Sequence, residues 1–97
     1  MEVKLADYGR VFATRERARE IIDSLTMSTQ GESLFIDLSG VSSASPSFMA
    51  ELLAKAMVVF ISASIVDGNE HLRWLTASLV EKLGLVGRVR LTDAALT

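Results

Sequence analysis

Apolar positions along this chain recur with two different periods, and the changes of period mark its elements. Val3 and Leu5 alternate with Lys4 and Ala6, and Val11-Phe12 follow the turn-like Asp7-Tyr8-Gly9. Residues 1–12 are therefore expected to hold one or two short strands. From Arg15 the spacing lengthens. Ala18, Ile21, Ile22 and Leu25 fall at i, i+3, i+4 and i+7, the stripe of an amphipathic helix that Thr14 caps and that runs to about Met27. Ser28 to Glu32 reads as a loop around Gly31. Leu34, Phe35, Ile36 and Leu38 then form an apolar run of strand length, and such a run suits a strand covered on both faces. Ser39-Gly40 ends it, because both are turn residues.

The second helix opens at Ser45-Pro46. Ser caps an orphan backbone N–H, and Pro at the first helical position has no N–H to lose. Phe48, Leu52 and Val59 recur on one side, but Met49, Leu53, Ala56, Met57 and Val58 extend the apolar surface around most of the circumference. Only Glu51 and Lys55 mark a polar edge, in the order that favours an exposed i,i+4 ion pair. A helix resting on a core needs roughly a 100° apolar stripe. The surplus either lies under other elements or forms an adaptable partner face through Met49, Leu53 and Met57. A strand is placed at about Ala63 to Asp67. Asp67-Gly68-Asn69 is a turn, and Asn69 can cap a third helix with Leu72, Leu75, Leu79 and Leu83 on one stripe and Gly84 as its left-handed C-cap. Trp74 falls opposite that stripe, either covered by the tail or exposed as a contact hot spot. Gly87 to Asp93 reads as a short last strand.

The alternation of strands and helices predicts one α/β domain over residues 1–97. Its sheet should have four or five strands, mostly parallel or mixed. Helices near Arg15–Met27, Pro46–Val59 and Glu70–Leu83 should pack it.

Composition narrows the function more than the fold. With 49% hydrophobic residues the chain lies at the apolar end for a soluble domain, so self-association or partner burial through Met49, Leu53, Met57 or Trp74 is expected. A net charge of -2 argues against a general nucleic-acid binder. The absence of cysteine excludes disulfides, thiolate metal sites and a thiol nucleophile. The opening MEVKLADYGR is too polar for a signal peptide, and no segment reaches about 18 uninterrupted apolar residues. A cytoplasmic protein without membrane insertion is the expectation.

Candidate chemistry is sparse. His71 is the single histidine, and with no acidic cluster it supports neither a metal site nor a catalytic base. SGVSSASPS lacks the glycines and lysine of a P-loop, and no serine stands in a nucleophile elbow. No catalytic residue, metal or cofactor is therefore assigned. Arg15, Arg17 and Arg19, mixed with Glu16 and Glu20, read as a solvated face rather than a basic patch. There remain the hydroxyls of Ser42, Ser43, Ser45 and Ser47, where a strand ends and a helix begins. They either make the turn and its cap, or face a partner; a phosphoryl group on Ser47 would be stabilised by the helix start.

These residues also carry a resemblance. FIDLSGVSSASPSFMAEL is similar to the signature of STAS domains, in which Asp-Leu-Ser-Gly-Val closes a strand and runs through a loop into a helix. It is closer to the subgroup of STAS-like domains of unknown function, whose pattern Asp37, Gly40, Val41, Ser47, Phe48 and Glu51 match. The Arg-rich first helix and Asn69 before the third also fit, so the resemblance spans roughly residues 9–83. It implies a STAS-like fold and a bacterial signalling role. The domain would be an anti-sigma-factor-antagonist-like regulator in partner switching, docking a histidine-kinase-fold ATPase that acts as a serine kinase. The chain departs at the usual phosphorylation site: the family's Asp-Ser falls on Ser45-Pro46, and Ser47 is the nearest hydroxyl. The expected function is a non-enzymatic interaction domain that docks through Ser42, Ser43, Ser45, Ser47 and Met49. Two alternatives stand beside it: an accessory subunit of a larger assembly such as a transporter, and a small-ligand or nucleotide sensor.

Overall fold

The computed structural model describes residues 1–25 and 32–92. Strands β1 (Glu2–Lys4), β3 (Ser33–Asp37), β5 (Ser62–Val66) and β6 (Val89–Thr92) form one parallel sheet in the order β1-β3-β5-β6. Helices α1 (Arg15–Leu25), α2 (Pro46–Val59) and α3 (Glu70–Lys82) connect them. The expected α/β architecture is therefore present.

One feature of the sheet departs from expectation. Val3, Leu34, Ile36, Ala63, Ile65 and Val89 point into the core, while their strand neighbours do not. Phe35, in the middle of the apolar run, is 48% exposed. Among the described residues the sheet is thus covered by helices on one face only, and the expectation of a strand buried on both faces fails. The run of apolar letters hid an alternation, because Phe35 takes an outward position that polar residues hold on the other strands.

Local chemistry fixes the helix starts as the sequence implies. Thr14 Oγ1 accepts from Arg17 N at 3.2 Å, Ser45 Oγ from Phe48 N at 3.0 Å, and Asn69 Oδ1 from Leu72 N at 2.9 Å. Gly84 closes α3 with φ +70°, and Leu85 behind it packs on the core. The end of α1 expected near Met27 and the loop around Gly31 lie outside the described residues.

The apolar circumference of α2 is resolved by its neighbours. It packs against α1 on one side and α3 on the other, over β5. Phe48, Met49 and Leu53 are 0% exposed, Leu52 1% and Met57 7%. Met49, Leu53 and Met57 are therefore core, not a partner face. The Glu51–Lys55 pair within α2 does not form either. Glu51 instead accepts from Arg15 at 3.5 Å and Arg19 at 3.1 Å, and Lys55 pairs with Asp23 at 3.4 Å. Both polar side chains lean towards α1, where opposite charge is close by. This also absorbs two of the arginines of α1, and Arg17 donates to the Tyr8 carbonyl at 2.7 Å.

Candidate functional site

The strands of a parallel sheet all end on one rim, and the loops that leave it collect there. Here the rim gathers the loop after β3, the start of α2, the turn after β5 and the chain before β2 (Val11–Phe12). The β3–α2 loop is not a free coil. Ser43–Ala44 form a two-residue strand, β4, paired in parallel with β2. Ser42 N donates to the Arg10 carbonyl at 2.8 Å and Ser45 N to the Phe12 carbonyl at 2.8 Å. This small second sheet has no periodic signal in the sequence, since two residues cannot show a period.

Further bonds tie the loop to its surroundings. Asn69 Nδ2 donates to the Ser42 carbonyl at 3.1 Å while its oxygen caps α3, so one side chain joins two rim loops. Arg10 Nε reaches the Gly40 carbonyl at 3.3 Å, and Asp37 accepts from Ser39 N at 2.9 Å. Arg73 Nη1 bridges the carbonyls of Asp67 and Thr92, both at 3.0 Å, linking the ends of β5 and β6. Under the loop, the Phe12 and Phe48 rings stack with centroids 4.7 Å apart.

The serines divide by role. Ser45 is half-buried, and its hydroxyl donates to the Ala13 carbonyl at 3.0 Å as well as capping α2, so it is a structural residue. Ser42 and Ser43 are exposed where the Arg10 carbonyl holds their amides, and Ser47 is exposed in the first turn of α2. Met49, grouped with them by sequence, points into the core.

Elsewhere, Trp74 is 65% exposed on the outer side of α3, with His71 stacked beside it at 6.1 Å. The tail expected to cover it falls on residues 93–97, outside the described residues. Trp74, Ala77, Ser78, Val80, Glu81, Val86 and Leu91 line an open groove of about 520 Å³ between α3 and β6. The sequence placed Trp74 off the leucine stripe but gave no sign that Val86 and Leu91 meet it.

The arrangement offers donors and acceptors for recognition. Among the described residues, no three or more His, Cys, Asp or Glu side chains group to hold a metal ion, and no helix is long and apolar enough to cross a membrane. Comparison with protein-family models, with curated proteins and with solved structures gives no match.

Proposed function

We propose that this chain is a non-enzymatic regulatory domain of the cytoplasm that docks a protein partner at the rim carrying Ser42, Ser43 and Ser47. One observation carries the reading: Ser42 and Ser43 are exposed on a loop whose backbone is fixed by β2, Arg10 and Asn69, and Ser47 is exposed in the first turn of the helix that the loop leads into. A pre-ordered loop loses little conformational entropy on binding, which is the condition for a small polar surface to bind well. The STAS-like resemblance supports the same surface and points to a histidine-kinase-fold ATPase as partner. Phosphorylation of Ser47 would add up to about two negative charges at the first turn of α2, tolerated by the helix and adverse to a closely fitted partner.

A second reading has its own support. The exposed Trp74 and Val86 beside the groove make an apolar patch of the kind that anchors partners, as an accessory subunit of a larger assembly would need. The two are separated by capture of the partner from native lysate on immobilised chain, with peptide identification. Loss of the captured protein with Ser47→Asp and its retention with Trp74→Ala supports the rim. The reverse result supports the groove. A nucleotide or phosphate that raises the melting temperature would instead favour a ligand sensor.

A further inference from the structure

A parallel sheet with one bare face is uncommon, because such sheets are normally covered on both sides. The strand register puts two rows of side chains across that face. Glu2 pairs with Phe35, Phe35 with Ser64, and Ser64 with Arg90. Lys4 pairs with Asp37, Asp37 with Val66, and Val66 with Thr92. Phe35, Asp37, Ser64 and Val66 thus occupy the middle, and Glu2, Lys4 and Arg90 stand on the two edge strands. The four charged groups cancel, although the whole chain carries -2. Among the described residues, Glu2, Lys4 and Arg90 form no ion pair within their own chain.

We infer that this open face is a self-association surface, on which a second copy of the chain packs sheet to sheet about a two-fold axis parallel to the strands. That axis reverses the strand order, so β1 of one copy lies over β6 of the other. Glu2 then faces Arg90 twice, once on each edge, and each Phe35 lies over the Ser64 of the partner copy, a large residue against a small one. Lys4 falls against Thr92, and no like charges are opposed. Asp37, already accepting from Ser39 N, lies over Val66. Sheets packed in this aligned way stand about 10 Å apart, a gap that Glu and Arg side chains span. The face is small: four strands about 4.8 Å apart and three to five residues long offer roughly 300 Å² a side, below the size of a stable interface, so the dimer is weak. It leaves the rim and the Trp74 groove free.

Sedimentation equilibrium over concentrations up to millimolar tests this, with circular dichroism confirming that each variant is folded. Wild type should show a concentration-dependent dimer that salt weakens. Glu2→Arg and Arg90→Glu should each raise the dissociation constant by about tenfold or more, because each sets like charges against each other at both edges. The combined Glu2→Arg/Arg90→Glu variant should regain most of the wild-type affinity. Phe35→Asp should abolish the dimer and serves if an edge variant fails to fold. A monomer at every concentration overturns the inference. So does a dimer indifferent to Phe35→Asp, a combined variant no better than the single ones, or a dimer dispersed by Trp74→Ala.

Discussion

Phe48 lies fully buried beneath the β3–α2 loop, with its ring stacked on Phe12 and its own amide held by the Ser45 cap. Its side chain therefore fixes the height at which α2 starts. Phe48→Ala should cost roughly 3–5 kcal/mol in urea unfolding, the scale for emptying a buried aromatic site. Two glycines with positive φ make a sharper comparison. Gly84 (φ +70°) has nothing within 4 Å of a notional Cβ, so Gly84→Ala should cost only the backbone term, roughly 1–2 kcal/mol. At Gly68 (φ +96°) that Cβ would stand 3.0 Å from the Cβ of the fully buried Leu38, so Gly68→Ala must also displace Leu38, just past the end of β3. It should destabilise clearly more than Gly84→Ala in the same urea series. Equal costs would mean that Leu38 yields without resistance. Residues of this kind were partly legible. Thr14, Ser45 and Asn69 act on amides three positions away, so their local sequence was enough. The fates of Met49, Leu53, Met57 and Glu51 depended on α1 and α3, which no local pattern locates.

At the scale of elements, the helices were legible and the sheet only half so. A stripe of period 3.6 over a dozen residues announces a helix, and Gly84 and Pro46 punctuate its ends. A five-residue strand shows its exposed face by two or three letters, and Phe35 replaced one of them with an apolar residue. β4 was too short to be seen. Arg88 is another element-level contact without a sequence signal. Its guanidinium donates to the carbonyls of Met57 at 2.8 Å, Phe60 at 3.1 Å and Ile61 at 3.3 Å, satisfying the C-terminal end of α2 from across the fold. A cation at that end also complements the helix dipole. Arg88→Ala should therefore destabilise by roughly 1 kcal/mol. Arg88→Lys should recover only part of this, since an ammonium lacks the fork that reaches several carbonyls. Thermal melts of the two variants check both statements. Complete recovery by Lys would assign the effect to charge alone.

For the whole molecule, one-sided covering of the sheet decides what is available to a partner. The helices use up most of the apolar surplus of α2, which lies between α1, α3 and the sheet, although Val58 stays exposed. Among the surfaces left outside are a polar rim on a fixed loop, a groove beside Trp74, and the bare sheet face. The rim was legible as a strand–serine–helix junction, but its rigidity was not, since that comes from Arg10, Asn69 and β2, distant in sequence. The most direct test of the rim as the docking surface is titration calorimetry with the captured partner against wild type, Ser47→Ala and Ser47→Asp. All three should have the same fold and the same melting temperature within a few degrees. Ser47→Ala should bind like wild type, and Ser47→Asp should bind about tenfold or more weakly, because only the latter brings charge to the contact. Equal affinities for all three would contradict docking through the rim and leave its serines as makers of a turn.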